Sequence, residues 1–399
     1  MRSLLLLALL CPAIRADDTW PQFRGPRGSG VSPAKGLPTE WSETKNAKWK
    51  TAIHGAGWSS PVILGKNVWL TTATEDGKER YAVAIDRDTG KIVHDVKVFD
   101  VEKNPYTFVK GFNTHASPSA AVEEGRVYVH FGSAGTACLE AGTGKILWTR
   151  DDLKCDHFRG PGSSPILWED LLILVFDGFD KQYVTALDKK DGKTAWETPR
   201  SIDYRTDNGD AKKAYCTPRV IDVDGKPQLV APAAAGTMAY DPRTGKELWQ
   251  VRHGGMNAAT PPQWGHGLAY VTIGAGSTLV AVKPGKEKPE WTAKDAPSRP
   301  SPVLLGDLLF LVNDTGTARC LDAKTGKEEW KRRVGGNYYS SPVVADGHLF
   351  VFDRDGKGHV LTADREGKIV ATNKLDGKVN ATPAIAGKAL YVRTDTHLY

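Results

Sequence analysis

The chain has no two neighbouring cysteines, no Cys-x-x-Cys pair and no His-x-x-x-His or His-x-His cluster among its ten histidines. These gaps argue against a zinc site and against a thioredoxin-type redox motif. Methionine is scarce, at three residues, and past residue 16 no run is long and apolar enough to cross a bilayer as a helix. No block of like charge stands out either. The lysines and arginines are scattered over turns, which suits a solvated surface and gives no nucleic-acid footprint.

What is present begins with "MRSLLLLALLCPAIRADD". Arg2 forms a short positive region and Leu4 to Leu10 a short apolar one, so residues 1–16 read as a secretory signal with cleavage after Ala16. Lipidation at Cys11 is disfavoured, because Leu10 is bulky for a lipobox. Loss of Arg2 and Arg15 with this segment lowers the formal charge from +6 to +4. The expected location is secreted or periplasmic. The expected organisation is a signal (1–16), an N-terminal extension (17–46) and one domain (47–399).

That domain is built from repeats. "CLDAKTGKEEW" from Cys320 has relatives at Ala84, Cys138, Ala186 and Ala239, with weaker copies at Val282 and Thr362. A Ser/Thr-Pro pair precedes each, at Pro61, Pro118, Pro165, Pro218, Pro261, Pro302, Pro342 and Pro383. The later spacings settle at 40 to 43 residues, a period typical of propeller blades. Between the two elements lie a turn and a short run such as "LLILVF" or "HLFVFD", rich in β-branched and aromatic residues. Such runs are too short for helices and too uniformly apolar for strands with one wet face. Each unit therefore reads as four antiparallel strands packed between neighbouring sheets. The Asp-x-x-Thr-Gly turn closes the third strand, and the Trp lies in the outermost strand, facing the next sheet.

Eight units make an all-β, eight-bladed propeller. The eighth, "NATPAIAGKALYVRTDTHLY", lacks its outermost strand, while "AKWKTAI" near the other end has no strand pair before it. Residues near 47–53 are thus expected to complete blade eight, with Trp49 standing where Trp330 stands in a whole blade.

The repeat "A-x-D-x-x-T-G-K-x-x-W" resembles the pyrroloquinoline-quinone-like propeller repeat, over essentially the whole chain after the leader. That family includes quinoprotein alcohol dehydrogenases and the outer-membrane assembly lipoprotein propeller. "WPQFRGPRGSGVS" and "GWSSPV" are similar to an exported bacterial subgroup of unsettled activity. The resemblance implies a scaffold and transfers no catalytic site. The dehydrogenases' adjacent-cysteine disulfide has no counterpart, nor do their calcium-ligand and catalytic Asp motifs. No cofactor is therefore expected, with pyrroloquinoline quinone plus Ca²⁺ as the alternative.

Comparison among the blades separates scaffold from site. One residue before each proline stands a hydroxyl: Ser60, Ser117, Ser164, Thr217, Thr260, Ser301, Ser341 or Thr382. Such uniformity indicates a structural role. Three residues before stand Trp58, His115, Gly162, Tyr215, Ala258, Arg299, Tyr339 and Asn380. This chemically diverse column falls where the innermost strands begin, at the channel mouth. Long loops in the first three units add His157, Arg159, Lys212 and Lys213 to the same face, and insertions in repeat proteins gather on the binding face. The candidate ligand-binding residues are Trp58, His115, Arg159, Tyr215, Arg299, Tyr339 and Asn380. They would form a polar, somewhat basic funnel for an anionic or polyhydroxylated ligand, or for a loop of another exported protein. Side chains that merely plug the channel would give the same pattern.

Sharper motifs fail. "HASPS" at His115 lacks a strand–elbow–helix setting for a Ser–His pair. Asp353, Asp355 and Asp395 lack the distal Glu of a calcium loop. "GAGS" at Gly274 precedes no helix. Cys138 and Cys320 occupy equal positions four blades apart, beyond disulfide reach, which leaves Cys155 and Cys216 as the one conceivable pair. The expected protein is a monomer that binds without catalysing. A quinone-dependent oxidoreductase and an outer-membrane assembly adaptor are the alternatives.

Overall fold

A computed structural model describes residues 18–106 and 111–399. The expected leader, with Cys11, lies outside the described residues. Strands dominate, and helical structure among the described residues is confined to short 3-10 turns such as Pro26–Gly28 and Gly209–Lys212.

Seven four-stranded antiparallel sheets follow one another along the chain, each with its strands in sequence order. Blade one runs Val62–Leu64, Asn67–Ala73, Glu79–Asp86 and Ile92–Asp100. The innermost strands of blades two to seven are Ala121–Glu123, Ile166–Trp168, Arg219–Val223, Gln263–Gly265, Val303–Leu305 and Val343–Ala345. The second and third strands of each blade are buried almost throughout, for example Leu171–Asp177 and Gly236–Tyr240. Both faces of each sheet are covered by neighbouring blades, which accounts for their unbroken apolar runs.

The eighth blade is assembled from both ends of the chain. Ala384–Ala386 pairs with Ala389–Tyr391, and His397–Leu398 pairs with Thr51–Ala52. Val392 and Tyr399 exchange N–H···O bonds across the third position, and the Ile53 amide donates to the Thr396 carbonyl at 2.9 Å. The ring is therefore closed by the N-terminal strand at Thr51 and Ala52, as the sequence pattern predicts.

The recurring Asp and Trp have separate mechanical roles. The Asp86 carboxylate accepts from the amides of Asp88 (3.1 Å) and Thr89 (2.8 Å), and Asp322 accepts likewise from Lys324 and Thr325. This turn feeds a β-bulge just before it, seen between Ala84 and Ile85 and between Cys320 and Leu321. Blade five, whose "VKPGKEKPEW" lacks the Asp-x-x-Thr-Gly signature, pairs its last two strands without a register shift. Five outer-strand tryptophans, Trp49, Trp148, Trp196, Trp291 and Trp330, dock on the turn glycine of the next blade, whereas Trp249, which faces the irregular blade five, donates to Gln228 Oε1 of its own blade at 2.7 Å. The Trp330 indole N–H donates to Asp364 O at 2.9 Å, and its ring lies so close to Gly367 (φ +58°) that a Cβ there would sit 2.3 Å from it. Trp49, from the N-terminal segment, does the same at Gly90 of blade one.

The extension before Thr51 runs inside the ring. Trp20 exchanges two 2.8 Å backbone bonds with Ile63 of blade one, and Pro21 O accepts from Val122 of blade two. The chain then crosses to the far side. Arg24 donates to the carbonyls of Pro302 (2.7 Å) and Pro342 (3.3 Å), and Val344 of blade seven bonds Gly30. Gly30 is required there, since a Cβ would fall 2.3 Å from the Arg24 guanidinium. The segment then leaves along blade seven, where Trp41 N donates to Asn373 Oδ1. "WPQFRGPRGSGVS" is thus a plug laid against the innermost strands. Local bonds such as Gly25 N to Gln22 O and Gly30 N to Arg24 O (2.8 Å each) shape the segment, and the bonds that hold it to the ring are all distant in sequence.

Candidate functional site

The innermost strands begin at a belt of hydroxyls. Six belt oxygens each accept the amide of the hydroxyl residue in the preceding blade. Ser301 N reaches Ser341 Oγ (2.9 Å), Ser341 N reaches Thr382 Oγ1 (3.0 Å), and Thr382 N reaches Ser60 Oγ (3.0 Å). Ser60 N then reaches Ser119 Oγ (2.8 Å), Ser119 N reaches Ser164 Oγ (2.9 Å), and Ser164 N reaches Thr217 Oγ1 (2.9 Å). The hydroxyl column is structural because it ties each blade's first residues to the next blade's.

This belt corrects two blades of the sequence register. In blade two the belt residue is Ser119, not Ser117, because the innermost strand starts three residues after Pro118 instead of one. In blade five the strand starts one residue after Pro262, so the belt position falls on Pro261, not Thr260. A proline offers neither a hydroxyl nor an amide hydrogen, and the belt is interrupted there. Thr260 instead shares a 2.6 Å hydrogen bond with Thr272.

With the register corrected, the diverse column reads Trp58, Ser117, Gly162, Tyr215, Ala259, Arg299, Tyr339 and Asn380. All eight line one cavity of about 350 Å³ at the channel mouth, with Phe112, Asn113, Asn257 and Arg159 added from loops and Phe23 from the plug. Six of the seven candidate residues are thus brought together. His115 is not among them. It is buried two residues upstream of the true column, stacked on Tyr106 with ring centroids 6.2 Å apart. Burial and the nearby Arg80 lower its pKa to about 4. Lys213 and His157 are also buried beneath the rim: Lys213 Nζ donates to His157 O (2.5 Å) and to Tyr215 Oη (2.8 Å), and burial lowers its pKa to about 8.

The rim is an alternating ladder of guanidinium groups and rings. Tyr339 lies between Arg354 (4.2 Å to the ring centroid) and Arg299 (4.5 Å). Phe112 lies between Arg299 (5.6 Å) and Arg159 (5.2 Å), and Phe158 follows at 5.3 Å. Trp58 meets Tyr339 edge-on at 5.6 Å. Carboxylates anchor two arginines from outside, Asp210 to Arg159 (3.0 Å) and Asp314 to Arg299 (3.2 Å). No carboxylate is among the cavity-lining residues. Each cation–ring contact contributes roughly 0.5–1 kcal/mol where exposed, and together they hold the long side chains in place.

The cysteines offer no reactive centre. Cys138, Cys155, Cys216 and Cys320 are all free and buried, so the conceivable Cys155–Cys216 bridge is not formed. Cys155 Sγ lies 3.5 Å from His157 Nε2. Burial raises that thiol's pKa and drops the imidazole's well below its ordinary value. The pair is held neutral and is not an activated nucleophile. Asp353 is occupied as a turn cap, accepting from the amides of Asp355 and Lys357. Among the described residues no group of three or more His, Cys, Asp or Glu could hold a metal ion.

Comparison with known proteins places these repeats. The family model PQQ_2, described as "Outer membrane protein assembly factor BamB", matches residues 78–332, 234–370 and 319–399. The chain belongs to this family. One curated member, from Legionella pneumophila, is 23% identical over 234 residues, covering 58% of this chain and 48% of its own length. The chain therefore matches about half of that relative. The solved BamB from Moraxella catarrhalis aligns over 87% of this chain and 97% of its own, with a TM-score of 0.61 and 15% identity. A quinohemoprotein alcohol dehydrogenase from Comamonas testosteroni aligns over 97% of this chain and 78% of its own, with a TM-score of 0.71 and 13% identity. At these identities the structural likeness speaks for the fold alone. Among the described residues no helix is long and apolar enough to cross a membrane.

Proposed function

We propose that this protein is an exported, non-catalytic propeller that binds a ligand or another exported protein through its channel mouth. The observation that carries this reading is the rim itself. Arg159, Arg299 and Arg354 are pinned by aromatic rings around a cavity without a lining carboxylate. Aromatic and arginine side chains fixed in place are what binding surfaces concentrate.

The family match favours one finer reading, an adaptor in outer-membrane protein assembly, with the mouth as the docking face. The quinone-dependent reading fits the site less well. Ca²⁺ takes six to eight oxygen ligands, carboxylates prominent among them. The lining supplies Asn113, Asn257, Asn380 and hydroxyls beside two guanidinium groups, a donor set unsuited to that ion.

A photo-crosslinking side chain at Phe112 tests the reading in the host envelope. It should capture a partner that a probe at Ile369, on the outer strand of blade seven, does not. The triple variant Arg159→Ala, Arg299→Ala, Tyr339→Ala should abolish that capture. Undiminished ligand and partner binding by the triple variant would refute the proposal. An absorption change and dye reduction on adding pyrroloquinoline quinone with Ca²⁺ would turn the choice to the oxidoreductase.

A further inference from the structure

Beneath the rim the belt hydroxyls have a second property. Ser60, Ser119, Ser164, Ser341 and Thr382 all line the cavity, and each is at most 4% exposed. Each oxygen already accepts a backbone amide from the preceding blade. Its own O–H therefore remains to be given, and no described residue accepts it. Five hydroxyl donors thus converge on the channel neck from blades one, two, three, seven and eight. Hydroxyl donors without a protein acceptor that line a cavity are open to an acceptor entering it.

The charge around the neck has one sign. Arg24, beside the Phe23 that lines the cavity, is fully buried and donates to the carbonyls of Pro302 and Pro342, each one residue after a belt position. Arg393 is 3% exposed and donates to Ser59 O (3.1 Å), Ser59 Oγ (2.6 Å) and Thr71 O (2.9 Å), next to belt residue Ser60. Neither has a carboxylate within ion-pair distance among the described residues. Buried charges without a counter-charge are rare, because desolvation is repaid only by pairing.

We propose that the channel neck is an oxyanion site: a carboxylate or phosphate group of a small molecule accepts hydrogen bonds from belt hydroxyls of neighbouring blades and balances the buried Arg24 and Arg393. Charged acceptors strengthen such O–H donors well beyond a neutral partner. Arg159 and Arg299 at the rim draw the anion in, and the plug closes the opposite side. The inference rests on the mouth being the working face and adds a ligand class to it.

The test uses the whole protein in low salt. Isothermal titration with inorganic phosphate and with gluconate should show one site per chain, and glucose, uncharged, should not bind. Binding of phosphate alone assigns a phosphate group, and of gluconate alone a carboxylate; either supports the site. Thr382→Val, which keeps the shape and deletes one donor, should weaken binding about tenfold, while Thr382→Ser should match wild type. Should the valine variant misfold, crystals of the native protein soaked in selenate give an independent readout. An anomalous peak within hydrogen-bond distance of Ser60, Ser119 and Ser164 is expected. No binding at 10 mM phosphate or gluconate (about 100-fold above a 0.1 mM Kd), or a peak at the rim arginines alone, would overturn the proposal. An empty neck with Phe112 cross-linking intact defeats this inference alone. A filled neck without cross-linking defeats the partner reading alone.

Discussion

The seam of blade eight can be tested with one methyl-bearing side chain. Leu398 is fully buried opposite Thr51 and belongs to a cluster that also holds Trp20, Trp41, Ile53, Val392 and Tyr399. The closing pair itself is only two residues long. Little backbone hydrogen bonding holds the two chain ends together, so the side chains must supply most of the adhesion. Leu398→Ala removes three heavy atoms and leaves a cavity that this crowded cluster cannot fill, a loss of about 2.7–5 kcal/mol. Against a domain stability of roughly 5–15 kcal/mol, that is a large share. Leu248→Ala is the control. Leu248 also lies in an outermost strand, in blade four, but is 44% exposed, and its loss should cost under about 0.5 kcal/mol. Urea unfolding followed by tryptophan fluorescence and by circular dichroism gives both values. For a closed ring the two probes should coincide in one transition, shifted to lower urea in Leu398→Ala. Equal stabilities for the two variants, or an early transition that releases blade eight while the other sheets persist, would refute the closure reasoning.

Gly367→Ala should cost more than Gly125→Ala. Both have positive φ, worth about 1 kcal/mol to a Cβ, but only at Gly367 would the Cβ strike a ring, that of Trp330. Thermal unfolding of the two variants measures the difference, and equal values would deny the tryptophan its docking role. Stability should also fall in acid through the buried histidines. His130 has its pKa lowered to about 3 and His157 well below 6.5, both chiefly by burial. Their depressed folded values give stability that is whole above about pH 6.5 and lost as pH falls toward those values, at roughly 1.4 kcal/mol per pH unit for each. Urea midpoints from pH 7.5 to 5 should follow that slope, and His130→Asn should remove one histidine's share. An unchanged slope would argue against the assignment.

The closed ring and the channel mouth share residues. Ser60 and Ser164 both tie neighbouring blades and line the cavity. Rigidity at the neck is therefore a by-product of closing the ring, and a ligand there meets donors whose positions are already set.

The blade count, the antiparallel four-strand unit, the docking tryptophan and the N-terminal closing strand were legible in the repeat. These are local or periodic features. A turn is set by Asp, Thr and Gly within a few residues, and a buried strand by its own apolar run, so eight copies declare themselves. The sequence also placed Trp58, Arg159, Tyr215, Arg299, Tyr339 and Asn380 at the mouth. That Ser117 and Ala259, rather than His115 and Ala258, stand in that column follows from contacts between blades. The innermost strand's register is fixed by the amide-to-hydroxyl bonds between blades, 40 or more residues apart in sequence, and a proline marks that register only when the strand follows it at once. The course of the plug was likewise invisible, since Arg24 finds its carbonyls at Pro302 and Pro342, about 280 and 320 residues away. No short-range pattern encodes a bond of that span, because its energy exists only once the ring has closed around it.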